Sequence, residues 1–326
     1  MRAIVTGGGG FIGSHLIEAL VARGDAVLCI ERPGAPNRWL QDLPIEYRDI
    51  GLENVAALRV ACDGADVVFH LAALTEARTP HEYYLINTEG TARVLKAAAA
   101  HNGGAPRVVF LSSLAAAGPC KNGELLSPDT VPMPLSHYGH SKLLAEVLVH
   151  AYRDRVPATI LRFSAVYGPR ERAVLKMFRM IKHGVALTIG PWEREVSMLY
   201  VRDAIQGLLE AADTPRGVGQ TYCLAHPEPV SWASVATAIG RALDRKPRLV
   251  SVPVGLARVI AVAVEGCAKI GHQAAVLNRE RVRELTQQRW VCDVSPAERE
   301  LGFAPAYPVV RGTEETARWY EEERWL

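Results

Sequence analysis

A chain of 326 residues, 49% apolar and 22% charged, is long enough to bury a large core and to divide into two lobes. Its net charge of +2 gives no bulk electrostatic case for a nucleic-acid or membrane partner. The six cysteines, at 29, 62, 120, 223, 267 and 292, form no C-x-x-C pair and the ten histidines show no ligand spacing. Free thiols in a reducing cytoplasm are therefore expected, with no disulfide framework and no metal.

The apolar start Ala3-Ile4-Val5 reads as a buried strand and leaves no room ahead of it for a signal peptide. Thr6-Gly7-Gly8-Gly9-Gly10-Phe11-Ile12-Gly13 follows, and Ser14 to Leu20 then takes up a helical period. A helix N-terminus carries unpaired N–H groups and partial positive charge, which suit a phosphate. Gly7 lets the chain turn off the strand, Gly10 removes a Cβ in front of a pyrophosphate, and Gly13 lets helix and strand pack closely. The spacing is G-x-x-G-x-x-G, and its place between strand and helix favours a dinucleotide site, with the loop 7–13, Phe11 and Ile12 included, against the cofactor.

Further strands are expected at 26–31, 45–48, 66–70, 107–112 and 158–162, separated by helices at 12–23, 53–62, 82–101 and 138–154. This alternation predicts an α/β fold with a doubly wound parallel sheet, a Rossmann lobe. Beyond residue 168 the pattern is less regular and punctuated by prolines. Residues 1–168 therefore read as the dinucleotide-binding domain and 169–326 as a smaller substrate lobe, with 197–226 returning to the first.

Glu31 ends the second strand, 18 residues past Gly13. An acidic group there hydrogen-bonds adenosine ribose hydroxyls and repels a 2′-phosphate, which favours NAD(H). Arg32 beside it is suited to pairing that phosphate, so NADP(H) stays open. Asp49-Ile50, ending strand three, are placed to meet the adenine edge, and Leu71-Ala72-Ala73 leave strand four with the small residues a close cofactor needs. His70 reads as a satisfied core histidine.

Tyr138 and Lys142 open the helix at 138–154 one turn apart on one face. A free tyrosine, with pKa ~10, is a poor general base, and a nearby ammonium lowers that value. The pair suits proton transfer to or from a substrate hydroxyl. Ser112-Ser113 stand at the carboxyl end of the strand before it, where open α/β sheets bind ligands. A serine there donates to a reacting carbonyl oxygen or caps a turn, and the cap is the preferred reading for Ser112.

Taken together, Gly7-x-x-Gly10-x-x-Gly13, His70-Leu71-Ala72-Ala73, Asn87-Thr88-Glu89-Gly90-Thr91, Ser112-Ser113 and Tyr138-x-x-x-Lys142 resemble the extended short-chain dehydrogenase/reductase family, the NAD-dependent epimerase/dehydratases. The resemblance runs over nearly the whole chain. It implies that Tyr138 is the acid/base, that Lys142 holds the nicotinamide ribose and tunes Tyr138, and that Ser113 orients the substrate oxygen. It also implies that Asn87 supports a proton-relay water and that Phe163 lies against the nicotinamide. A homodimer packed through helices 82–101 and 138–154 is implied by the same resemblance, and by nothing else in the sequence.

Two departures bear on the branch. Nucleotide-sugar epimerases usually carry Asn-Val-Tyr-Gly-Pro and Arg-Asp-Phe, the Asn and Arg gripping the diphosphate. This chain has Ala165-Val166-Tyr167-Gly168-Pro169 and Val196-Ser197-Met198 instead. Arg170, Arg172 and Arg194 lie close enough in sequence to substitute. The tail, Asn278-Arg279-Glu280-Arg281, Trp290-Val291-Cys292-Asp293, Glu300-Leu301-Gly302-Phe303 and Thr316-Ala317-Arg318-Trp319-Tyr320, is similar to the 3β-hydroxysteroid dehydrogenase-like branch. The apolar segment 252–270 is too broken by Arg258, Glu265 and Lys269 to span a bilayer, so it reads as an amphipathic helix. Packing on the substrate lobe is expected of it first, a lip for an apolar substrate second, membrane contact third. The arginines of 279–289 read as a solvated helix face.

The expected activity is hydride transfer between a nicotinamide and a secondary alcohol or ketone on a largely apolar small molecule. The alternatives are a nucleotide-sugar epimerase or dehydratase and a non-catalytic NAD(P)-binding scaffold.

Overall fold

Alternation along each strand builds the core. In β1 (Arg2–Thr6) Ala3 and Val5 face one apolar cluster and Ile4 the other. In β2 (Ala26–Glu31) Val27 and Cys29 face the first, Leu28 and Ile30 the second. Strands buried on both faces need helices on both, and the apolar runs supply that demand. On one side lie α1 (Phe11–Ala22) and the helix Val201–Asp213. On the other lie the helices Val55–Cys62, Gly90–Ala98 and His137–Ala151. The computed structural model describes residues 1–101, 104–121, 123–270 and 277–326, with backbone alone at 269–270.

The remaining strands are β3 (Glu46–Asp49), β4 (Val67–His70), β5 (Arg107–Ser113) and β6 (Ala158–Phe163). They pair in parallel in the order β6-β5-β4-β1-β2-β3, and the strand Thr221–Leu224 adds to the outer edge of β6. The order reverses between β1 and β4. That switch point opens a crevice at the carboxyl ends of the strands, where Thr6, His70, Glu31 and Ser113 stand. The doubly wound parallel sheet expected from the sequence is the fold observed.

The expected helix 82–101 is interrupted. A turn of α-helix, Pro80–Tyr83, passes into a π-helical turn, Tyr84–Glu89, before Gly90–Ala98 resumes the α-helix. The wider turn is set where Asn87 bridges to two neighbouring segments, a common position for π-turns.

Past residue 163 the strands are short. Ala165–Tyr167 pairs with Met198–Tyr200, and Val185–Ile189 with Arg248–Val252. Glu195–Val196 lies between Val230–Ser231 and Arg289–Trp290. The apolar segment 252–270 folds as the helix Val254–Ile270, but its expected packing on the substrate lobe is slight. Ala257 and Ala261 are buried, while Leu256, Val259, Ile260 and Val262 are exposed. Glu265 breaks the expected polar stripe by turning onto Arg279, and the Lys269 side chain lies outside the described residues. Among the described residues no helix is long and apolar enough to cross a membrane. All six cysteines are free thiols.

Candidate active site

The glycine loop is fixed by contacts that only glycine permits. Gly7 has φ +76°, and an added Cβ would lie 2.8 Å from the Ala72 backbone. A Cβ on Gly13 would collide with the Gly7 carbonyl oxygen, so that glycine lets α1 close on the loop. Gly10 precedes α1 and offers no side-chain cap, which leaves the first helical N–H groups to a ligand. Glu31 reaches across from β2, its Oε1 accepting from the Gly9 N–H at 2.7 Å. Burial pushes its pKa up, and the N–H groups of Gly9 and Arg32 oppose that. Asp49 is its register partner on β3, and Arg32 beside it is exposed.

Tyr138 and Lys142 occupy the first two turns of the helix His137–Ala151, as their spacing predicts. Ser136 caps that helix, its Oγ accepting from the Gly139 N–H at 3.1 Å. Ser113 and Phe163 are register partners at the ends of β5 and β6. Ser113 stands close enough to Tyr138 to pull its pKa down, so the crevice brings acid/base candidate and oxygen-orienting candidate together. Burial pushes Tyr138 up to about 12; Ser113 opposes this and Glu284 adds to it. The expected lowering by Lys142 is not seen, because that ammonium turns away. Its Nζ donates to the Leu111 carbonyl at 2.6 Å and lies 4.2 Å from the Phe110 ring centroid.

Burial also brings the Lys142 ammonium down to about 7, against the attraction of Glu146. An unfolded chain therefore holds a proton on Lys142 between about pH 7 and pH 10 that the folded chain gives up. Where the unfolded state binds more protons, stability rises with pH. Lys142→Met is expected to lose this rise, so melting curves of the two proteins should converge toward the alkaline end of the window. Parallel pH dependences would exclude a depressed lysine.

Asn87 is buried and fully engaged. Its Oδ1 accepts from the Leu74 N–H at 2.7 Å, and its Nδ2 donates to the Leu74 carbonyl and to Ser141 Oγ at 3.0 and 2.9 Å. The side chain thereby pins the loop after β4 to the Tyr138 helix. His70 is a satisfied core histidine. Thr91 donates to the Asn87 carbonyl, so it accepts from His70 Nε2–H at 3.0 Å, and Thr6 donates to His70 Nδ1 at 2.8 Å. Burial brings its pKa down to about 3, which keeps the ring neutral. Ala72 N–H in turn donates to Thr6 Oγ1 at 3.3 Å, tying Leu71-Ala72-Ala73 to the end of β1.

The two serines divide their work differently from expectation. Ser113, not Ser112, caps the following turn, accepting from the Ala115 N–H at 3.1 Å. Ser112 points with Phe110 beneath the Tyr138 helix and donates to Glu146 Oε1. Glu146 is bridged to Arg162 by 2.7 and 3.0 Å contacts, both side chains at most 5% exposed. A charged residue within the otherwise apolar strand Ala158–Phe163 was the sequence signal for this network.

A model described as "NAD dependent epimerase/dehydratase family" matches residues 3–225. The chain belongs to this family. A Bacillus subtilis protein named as an uncharacterized UDP-glucose epimerase is 33% identical over 76% of this chain and 84% of its own. A Stigmatella aurantiaca protein named as a 4-hydroxy-2-methyl-3-oxo-4-farnesyl-3,4-dihydroquinoline-1-oxide ketoreductase is 32% identical over 93% of this chain and 92% of its own. The branch seen in the tail is represented by an Arabidopsis thaliana 3β-hydroxysteroid-dehydrogenase/decarboxylase, 25% identical over 96% of this chain and 78% of its own. The Bacillus cereus UDP-glucuronic acid 4-epimerase, solved with a substrate analogue and NAD, shares the fold at TM-score 0.81 and 22% identity, covering 99% of this chain and 100% of that one.

An epimerase/dehydratase fold needs a cradle for its dinucleotide, and the glycine loop supplies one. An added Cβ at Gly10 would meet the Gly7 carbonyl oxygen at 3.2 Å and nothing else within 4 Å. It would stand free in front of the α1 N-terminus. The uncapped helix end and the Glu31 carboxylate fit a pyrophosphate and an adenosine ribose, while Phe163, placed by the resemblance against the nicotinamide, is buried in the core at 3% exposure.

The arginines Arg279, Arg281 and Arg283 form the solvated face expected of 279–289, but the role of the acids between them was missed. The acids of the helix Arg279–Leu285 turn onto the Tyr138 helix. Glu280 accepts from the His137 N–H at 3.0 Å, and Glu284 accepts from Ser136 Oγ. Carboxylates there complement the positive end of the helix dipole. Tyr83, whose ring lies 6.2 Å from that of Tyr138, was also missed.

Of the three arginines adjacent to the altered diphosphate motifs, Arg170 and Arg194 are held by other partners and Arg172 is exposed. Arg170 binds Ser14 Oγ at 3.0 Å and Glu18 on α1. Arg194 is buried, donating to the Pro191 carbonyl and Thr188 Oγ1 at 2.8 and 2.7 Å. Arg172 lies 5.5 Å from the Trp325 ring centroid. Val196 is buried in the core and brings no charge to the cleft.

Proposed function

We propose that this protein is an NAD(H)-preferring oxidoreductase that transfers hydride between the nicotinamide and a secondary alcohol or ketone on a largely apolar skeleton. The observation that carries this is that Arg170 and Arg194 are held by other partners and neither replaces the side chains absent at Ala165 and Val196. Similarity to a farnesyl-quinoline ketoreductase and a hydroxysteroid dehydrogenase supports it. The lobe 169–326, apart from the returning 197–226, would hold the substrate, in a reducing cytoplasm. A homodimer would bury the outward face of the Tyr138 helix, where Leu144 and Val147 are 46% and 55% exposed.

Bound NAD(H) supplies or accepts the hydride at nicotinamide C4. In the reduction direction Tyr138, held protonated by burial, gives its phenolic proton to the carbonyl oxygen. Ser113 steadies that oxygen with its hydroxyl, and Asn87 keeps the Leu74 loop and the Tyr138 helix in register. Lys142 holds the nicotinamide ribose from the second turn of the same helix. The proton on Tyr138 is recovered from solvent.

Glu31 sets the cofactor preference in this reading. Glu31→Gln keeps an acceptor for Gly9 and removes the charge that repels a 2′-phosphate. NADP(H) affinity should rise toward or past that of NAD(H), with Arg32 unopposed. Titration of both cofactors decides it; unaltered chain that prefers NADP(H) would assign the preference to Arg32.

The second reading is a nucleotide-sugar epimerase, favoured by the 33% identical relative and by Arg283, exposed at the lip of a cavity of about 380 Å³ beside His137. Two missing charge-assisted hydrogen bonds, each ~1.5–3 kcal/mol, weaken a UDP-sugar by roughly 10²-fold or more. Calorimetry with UDP-glucose and NAD should therefore detect nothing tighter than high micromolar, and ketone turnover should consume NADH. Low-micromolar UDP-glucose binding, or turnover without net change in NADH, would establish the epimerase instead.

A further inference from the structure

Among the described residues, the helix Val254–Ile270 leaves most of its apolar surface without a protein partner. Leu256, Val259 and Ile260 follow one another at helical spacing, exposed by 53, 68 and 41%, and Val262 flanks them at 55%. Among its described side chains only Ala257 and Ala261 are buried, against Val282. Leu249, on the strand leading into the helix, and Leu187, on the paired strand, are exposed by 41% and 45%. Isolated exposed aliphatics are ordinary on a protein surface; a contiguous run on one helix marks an interaction site.

Charge says what covers it. Residues 241–289 hold ten Lys and Arg against four Asp and Glu, whereas the whole chain carries only +2. Three of those acids are spoken for: Glu265 pairs with Arg279, and Glu280 and Glu284 face the Tyr138 helix. Arg245, Lys246 and Arg248 are exposed on the stretch leading into the helix, and Arg258 on the helix itself. Two copies apposed through this face by a two-fold axis would bring like charge against like. An anionic surface with an apolar interior meets both halves of the pattern.

Position gives the contact a purpose. Glu265 and Ala268 of the same helix line the 380 Å³ cavity together with Tyr83 and His137, the neighbours of Tyr138. The face turned outward is thus the back of a wall of that cavity.

We propose that the helix Val254–Ile270 lies in the interface of an anionic lipid bilayer, with Leu256, Val259, Ile260 and Val262 at the acyl boundary and the cleft opening at the lipid surface. Delivery of an apolar ketone from the bilayer to Tyr138 rests on the function proposed above; the membrane contact itself does not.

The test is co-sedimentation with phosphatidylcholine vesicles, pure or with about a quarter phosphatidylglycerol. The unaltered chain should bind the mixed vesicles, weakening with salt, and bind pure phosphatidylcholine roughly tenfold less or weaker. Val259→Glu with Val262→Glu should lose roughly tenfold or more of that binding, at unchanged melting temperature and unchanged turnover of a water-soluble ketone. Arg245→Glu with Arg248→Glu should abolish the preference for the anionic vesicles. Failure of the unaltered chain to bind mixed vesicles overturns the proposal, as does undiminished binding by the Val259 and Val262 variant. A drop in oligomeric state on the valine substitutions would assign the face to a second copy and also overturn it. Vesicle binding without any ketone reduction would overturn the reaction while leaving the membrane contact standing.

Discussion

Tyr138→Phe is expected to lower turnover by roughly 10²-fold or more and to leave NAD(H) affinity within a few-fold, because only the transferable proton would be lost. The ring keeps its packing beside Tyr83, so the helix His137–Ala151 and its Ser136 cap are undisturbed. The size of the effect follows from protonation. Burial holds the phenol near 12, so it is a loaded acid at neutral pH and needs no preceding ionisation to serve ketone reduction. Reduction should accordingly be flat with respect to Tyr138 across neutral pH, while alcohol oxidation, which needs the phenolate, should quicken as pH rises. Steady-state rates in both directions and a cofactor titration of the Phe variant check this. Near-full activity in that variant would remove Tyr138 from the chemistry, and the scaffold reading would regain ground.

How much of this was legible in the sequence depended on whether the information was local. Strands β1, β2, β4, β5 and β6 were readable because each is a mostly apolar run closed by a polar or small residue, and the glycine loop because three glycines sit where strand gives way to helix. Tyr138 and Lys142 were readable as a pair by helical spacing, but the direction taken by the ammonium was not. That depends on the Leu111 carbonyl, which only the sheet brings beneath it. The division between Ser112 and Ser113 was within reach. Strand parity puts Ser112 on the Phe110 side, under the helix, and leaves Ser113 at the mouth. The π-turn over Tyr84–Glu89 was not, since six residues do not separate a period of 3.6 from a slightly longer one. The acids Glu280 and Glu284 were hidden among arginines, and their role exists only through contact with a helix far away in sequence.

Arg162→Met is expected to destabilise the fold by about 3–5 kcal/mol, the cost of leaving one member of a buried ion pair unpartnered. Glu146 is 2% exposed and would retain Ser112 as its hydrogen-bond partner and Lys142 one turn away as its nearest cation. The loss is one of compensation rather than of attraction, since burying both charges was expensive to begin with. Arg162→Met combined with Glu146→Leu should therefore recover most of the stability, leaving an apolar layer between β5, β6 and the Tyr138 helix. Activity should not recover with it. Glu146 opposes the burial that depresses the Lys142 ammonium, so the double variant should hold Lys142 neutral to lower pH and lose its grip on the nicotinamide ribose. Urea unfolding of the three proteins, followed by cofactor titration of the double variant, separates the two effects. A single variant within about 1 kcal/mol of the unaltered chain would mean that water reaches Glu146 and that the pair is not the buried strut its geometry describes.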